Sequence, residues 1–190
     1  MKSTTKQTII ISTLITATIA VIILIINYKK MKQSVMGTIK KSYFTIEELC
    51  ESYTAKKHNI DNTPTPQHEQ NLQQLIDNVL NPAREELGSY IKVNSGYRCS
   101  ELNKLVGGAV NSQHTTGEAA DITAGSETKN KKLFAILVEQ AHFDQLIWEK
   151  TGSSQWIHVS HSTTRLRHQI LAYNGSKYTN ITNNWQNYLA

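Results

Sequence analysis

The sequence predicts an α+β domain with a mainly antiparallel sheet, preceded by an N-terminal transmembrane helix. Three observations lead there. Apolar residues recur at three- and four-residue spacing through Leu72, Leu75, Ile76, Val79 and Leu80, and again through Leu133, Ile136 and Leu137, marking two amphipathic helices. Segments 143–148 and 155–161 alternate apolar and polar residues as half-buried strands do. The overall order of helix, strand, helix, strand, helix and then several strands gives the class.

From the N-terminus, residues 8–26 read TIIISTLITATIAVIILII, without a charge. That is close to the ~20 residues that cross a bilayer as a helix. The run is too long for a signal-peptide core and no clean small-x-small cleavage site follows it, so an uncleaved single-pass anchor is expected over 1–28, with a cleaved signal peptide as the alternative. It lacks the polar face that a buried core helix of a small domain would carry. Lys29, Lys30 and Lys32 outnumber Lys2 and Lys6, which by the positive-inside rule alone would leave the rest of the chain in the cytoplasm. Residues 29–42 form a basic linker.

The folded domain is expected over 43–182, a length suited to one core and a monomer. Thr45 and Glu48 make a capping-box pattern that starts a short helix. Pro64 and Pro66 keep 62–66 out of helix. A long helix follows over 67–87, with Pro82 placed to kink it and Gly88 to end it. Residues 91–95 read as a strand broken by Gly96, and 102–106 as a short helix that stops at Gly107 and Gly108. A loop then leads to a strand at 119–123. Residues 129–141 are the second amphipathic helix. Asn174-Gly175 joins 168–173 to 177–181 as a hairpin of type I′, and 183–190 is a tail.

The pI near 9.1 and net charge of +5 could suggest nucleic acid. However, Lys2, Lys6, Lys29, Lys30, Lys32, Lys40 and Lys41 all lie before the domain, and without them the balance is close to neutral, so no nucleic-acid face is read. Cys50 and Cys99 lie in no metal spacing; either one disulfide or two small buried hydrophobes suits them.

The chemistry concentrates in Ser112-Gln113-His114-Thr115-Thr116-Gly117-Glu118-Ala119-Ala120-Asp121 and in Trp156-Ile157-His158-Val159-Ser160. Two imidazoles and a carboxylate fit a catalytic zinc site, which takes three protein ligands and keeps one position open. His114, Asp121 and His158 are the candidate ligands. Strand alternation puts His158 on one face with Trp156 and Ser160, and His161 on the other, which leaves His161 an outside candidate. Gly117 permits a tight path between the first two ligands. Spacing alone does not separate this reading from a hydrogen-bonded histidine and a loop aspartate.

The run Val93-Asn94-Ser95-Gly96-Tyr97-Arg98, then Leu102-Asn103, Val106-Gly107-Gly108, the S-x-H-x-x-G-x-A-x-D of 112–121 and the late W-I-H-V-S resemble the zinc D-Ala-D-Ala carboxypeptidase family, in particular its small single-domain bacterial and phage members. The resemblance covers about 44–169 and includes Ile60-Asp61-Asn62-Thr63-Pro64. It implies a hedgehog/DD-peptidase-like zinc fold acting on the peptide stems of peptidoglycan. His114, Asp121 and His158 match the family's metal ligands, and Arg98 matches the arginine that faces the substrate. A guanidinium there can grip a peptide carboxylate bidentately. Ser112 and Trp156 are taken as further substrate-binding residues, Ser112 supporting the metal loop by hydrogen bonding. A wall substrate favours placing the membrane-anchored domain outside the cytoplasm.

Relatives carry an acidic general base three residues before the last histidine, where this chain has Gln155. An amide cannot accept and return a proton at neutral pH. Glu149, at the end of the preceding strand, is the candidate base, with Glu118 second. The expected function is a zinc-dependent metallopeptidase of stem peptides, a D,D-carboxypeptidase or endopeptidase, in wall remodelling or phage lysis. The alternative motivated by Gln155 is a weak or inactive zinc-containing wall-binding module. A cytoplasmic dipeptidase has only the lysine bias behind it.

Overall fold

The computed structural model describes Leu24, Asn27 and residues 41–189, and its first described element is the helix that Thr45 was expected to cap. Helix α1 (Ile46–Cys50) starts where the Thr45 hydroxyl accepts from the Glu48 N–H. A second short helix, α2 (Tyr53–His58), is capped in the same way by Ser52 and ends on Asn59 in the left-handed region. Helix α3 (Pro66–Leu75) opens with a capping box between Thr65 and His68. It runs through a π turn (Ile76–Leu80) into α4 (Asn81–Leu87), which stops at Gly88 with φ +66°. Pro82 has no N–H to complete the i to i−4 ladder, and the chain answers with this single wider turn rather than a break. The predicted stripe from Leu72 to Leu80 is buried throughout.

Among the described residues the remaining elements are β1 (Lys92–Ser95), α5 (Ser100–Leu105), a 3₁₀ turn (Gln113–Thr116), β2 (Ala119–Thr123), α6 (Glu127–Gln140), β3 (Gln145–Thr151), β4 (Ser154–Ser160), β5 (Gln169–Tyr173), β6 (Tyr178–Asn180) and α7 (Trp185–Leu189). The six strands form one sheet in the order β1-β2-β4-β3-β5-β6. Every pair is antiparallel except β3–β5. The α+β class and the antiparallel-dominated sheet are therefore as the sequence predicts.

Strand alternation divides the sheet into two faces. Ile122, Leu146, Trp148, Ile157, Val159 and Ile170 join Leu72, Leu75 and Phe134 in one core. Phe134 of α6 meets Trp148 edge-on at 5.6 Å between ring centres. The intervening residues, Asp121 on β2, Gln145, Ile147 and Glu149 on β3, and Trp156 and His158 on β4, are left to the other face, where they line one cleft.

Two local features differ from expectation. At the hairpin only Gly175 takes a positive φ, and Tyr173 pairs with Tyr178 around a four-residue connection. The Asn174 side chain accepts from the N–H groups of Ser176 and Lys177, so its own turn chemistry replaces the type I′ geometry. Where a tail was expected, α7 buries Leu189 and sets Trp185 6.2 Å from Phe134.

The single-pass anchor, and the membrane-anchored extracytoplasmic placement built on it, are corrected. Among the described residues no helix is long and apolar enough to cross a membrane. Helix α6 has 14 residues and carries Lys129, Lys131 and Lys132, short of the ~20 apolar residues a bilayer core demands. The longer helical run from α3 through α4 carries Glu69, Asp77, Arg84, Glu85 and Glu86. The stretch 8–26 lies, apart from Leu24, outside the described residues.

Candidate active site

The candidate metal loop is a 3₁₀ turn (Gln113–Thr116) entered at Ser112 and left at Gly117. The Ser112 hydroxyl makes no capping bond; its carbonyl instead accepts from the Thr115 N–H and hydroxyl, so the expected support comes from backbone. Gly117 has φ +72°, and a Cβ there would stand 2.6 Å from the His68 carbonyl oxygen, so the exit admits only glycine.

This turn buries His114 to 1% exposure. Its Nδ1 lies 2.6 Å from the Gly96 carbonyl oxygen. A carbonyl only accepts, so Nδ1 carries the proton and Nε2 presents a lone pair. Burial favours the uncharged ring and pulls its pKa below the ordinary value. Gly96 is held close in turn: a Cβ on it would fall 2.2 Å from the Leu49 carbonyl oxygen.

The sheet supplies the other two candidates. Asp121 of β2 and His158 of β4 are direct cross-strand partners. Asp121 Oδ1 is 3.1 Å from His158 Nδ1 and 3.3 Å from His114 Nε2, and the two ring nitrogens are 3.2 Å apart. Burial opposes charge on Asp121, but the adjoining imidazoles outweigh it and hold the carboxyl well below the usual range. A tetrahedral ion with ligands at about 2.0–2.1 Å needs ligand atoms about 3.3 Å apart. The three atoms already stand at that spacing, so the donor set fits zinc.

Arg98 follows β1 and lines the same cleft, with its Nη2 3.7 Å from Asp121 Oδ2. Its backbone N–H donates to the His114 carbonyl. Asn62 fixes the chain on both sides of it, donating to the Tyr97 and Cys50 carbonyls and accepting from the Cys99 N–H. The cleft, about 500 Å³, also takes in Glu149, Trp156 and Ser112. Burial pushes the Glu149 carboxyl up to about 7, with the Asp121 charge adding to the shift.

The other candidates fall elsewhere. Gln155 sits on the core parity of β4, its Oε1 3.5 Å from Asn130 Nδ2, and does not line this cleft. The Glu118 carboxylate accepts from the Thr116 hydroxyl and is also outside it. His161 Nδ1 donates to the His142 carbonyl. Both thiols are free; burial pushes Cys50 up to about 11, and Cys99 Sγ accepts from the Leu102 N–H at the start of α5.

Sequence reasoning missed one cluster on this cleft. Asp144, fully buried, accepts from Arg167 Nε and Nη2, the Arg167 backbone N–H, Arg165 Nη2 and Gln113 Nε2. These residues come from three separate stretches, and an Arg-x-Arg before a strand is too common a pattern to signal it. Burial works against the Asp144 charge, but the Arg167 bonds outweigh it and pull the carboxyl down to about 2. A depressed pKa contributes stability above the unfolded value, and that stability is lost as pH falls. Asp144→Asn should therefore lower stability at pH 7 by about 2–3 kcal/mol. In urea melts the deficit should shrink as the pH is taken from about 4 towards about 2; a deficit that does not change with pH would place its origin in packing.

A comparison with curated proteins returns no match. A family model described as Peptidase M15 matches residues 42–160, which contain His114, Asp121, His158, Glu149 and Arg98. The match covers well over half of the chain, and the chain belongs to the Peptidase M15 family.

Proposed function

We propose that the chain is a zinc peptidase that hydrolyses peptide bonds in peptidoglycan stem peptides, as a D,D-carboxypeptidase or an endopeptidase. The observation that carries this is the convergence of His114, Asp121 and His158 in a cleft that also holds a half-buried carboxyl and an arginine. A zinc ion held by those three residues would polarise the scissile carbonyl and lower the pKa of a water beside it.

The chain's own groups do the rest. Glu149, whose carboxyl burial pushes up from its ordinary value, accepts a proton from the attacking water and returns it to the departing amine. Arg98, steadied by Asn62, donates to a carboxylate or carbonyl of the substrate. Trp156, one step along the metal face from His158, gives the peptide an apolar wall, and Ser112 contributes polar lining at the metal loop. The Gly96 carbonyl keeps the His114 ring in one tautomer.

The test is incubation with defined muropeptides, with and without a chelator, and mass spectrometry of the products. Loss of a terminal D-alanine identifies a carboxypeptidase; cleavage within a cross-link identifies an endopeptidase. One equivalent of bound zinc with every stem peptide intact would replace this reading by the wall-binding module that Gln155 suggests. Glu149 supports turnover over that alternative, since it puts a titratable carboxyl on the cleft that Gln155 does not line.

A further inference from the structure

Two arginines without a part in the proposed hydrolysis line the same cleft. Gln145, Ile147 and Glu149 alternate along one face of β3 and all border it. The cleft therefore follows this strand for roughly 13 Å, four residues at about 3.3 Å each. Ile147 is the cross-strand partner of His158, which locates the metal group along that line. Glu149 stands to one side of it, opposite Trp156. To the other side are Gln145 and, around the preceding Asp144, Gln113, Arg165 and Arg167.

Charge at that end does not balance. Asp144 is one carboxylate facing two guanidinium groups. Arg167 takes most of it, through Nε at 2.9 Å, Nη2 at 2.6 Å and its backbone N–H at 2.9 Å. Arg165 meets Asp144 in a single contact of 3.4 Å and keeps 55% of its side chain exposed. One positive charge is thus left over at the cleft wall, on a side chain tethered by one contact. Among the described residues the acidic ones lining the cleft are Asp121 and Glu149, in the metal group and beyond it, so none of them offsets the charge at the Arg165 end. A planar guanidinium in that state matches a carboxylate in shape and charge.

We propose that Arg165, held by Asp144 and flanked by Gln113, is a carboxylate-binding subsite that selects peptides bearing a free carboxylate about two residues from the bond under attack. The offset follows from β3, since Gln145 lies two residues from Ile147 and an extended peptide advances along the cleft at the pace of the strand. The inference rests on the cleft being a peptide site, as proposed above. It adds a second anchor distinct from Arg98, which adjoins Asp121.

The experiment uses two peptides that differ only in having that carboxylate free or converted to a carboxamide. Their equilibrium binding to the zinc-loaded full chain is measured by calorimetry, alongside Arg165→Gln and Arg165→Lys. The wild type should bind the acid form roughly tenfold more tightly, and the preference should shrink as salt rises. Arg165→Gln should abolish the preference and Arg165→Lys should restore part of it, with unchanged thermal midpoints because the side chain is exposed. Equal affinity for the two forms in the wild type, no binding of either, or an acid preference that survives Arg165→Gln would each overturn the subsite. Hydrolysis of the same peptides is read separately. Cleavage with no acid preference removes the subsite and leaves the peptidase standing, whereas acid preference without cleavage does the reverse.

Discussion

Replacing His158 by alanine is expected to take bound zinc from about one equivalent to almost none and to bring hydrolysis below detection. The reason is geometric. His158 Nδ1 is the vertex nearest to both other ligand atoms, 3.1 Å from Asp121 and 3.2 Å from His114. Without it a cation keeps one imidazole and one carboxylate, too few for a tetrahedral protein site. Losing even an outer partner of a ligand commonly costs 10–100-fold in affinity, roughly, and a direct ligand costs more. His161→Ala is the matched control, since that ring is engaged with the His142 carbonyl and should leave metal content intact. Metal analysis of the dialysed proteins decides it: full zinc in the His158 variant would remove it from the ligand set.

Glu149→Gln should leave zinc in place and reduce turnover by about 10²–10⁴-fold, the usual worth of a positioned acid–base group. The variant keeps the size of the side chain and removes only the titration. In the parent enzyme the rate should rise with pH along an acid limb as Glu149 ionises, with its midpoint no higher than about 7. A bound cation would favour the carboxylate and move the midpoint down. The limb should vanish in the variant. A variant with parental turnover would return the role to Glu118, whose carboxylate the structure leaves outside the cleft.

What the sequence disclosed and what it hid divide along a physical line. Local signals translated well: the Thr45 cap, the stripe from Leu72 to Leu80, Gly88, and strand parity around His158 all depend on neighbours within a turn or two. Within its own strand that parity turns His158 away from Ile157 and Val159, and the sheet pairs it there with Asp121. Features made by distant residues were not legible. The Asp144 cluster joins a turn at 113, a strand start at 144 and a connection at 165–167, and no single stretch announces it. Asn62 was visible within a motif, yet its work on either side of Arg98 appears only when the fold brings residues 50, 62 and 97–99 together. Gln155 shows the same divide from the other side: its position three residues before His158 can be counted in the sequence, but an odd offset along a regular strand changes face, and only the fold shows that the side chain meets Asn130.

The bond between the His114 ring and the Gly96 carbonyl has a consequence for loading and unloading. Two candidate ligands are neighbours in a hydrogen-bonded sheet, and the third is latched to the residue that follows β1. Each of them is thus also held by the protein's own strand pairing or hydrogen bonding, in contrast to small domains whose fold exists only around their metal. Stripping the ion should consequently leave far-ultraviolet dichroism and the cooperative melt in place, and activity should return on adding zinc within the time of mixing. A site built in this way would behave as a socket cut in advance: its dependence on zinc would be a matter of supply and not of refolding.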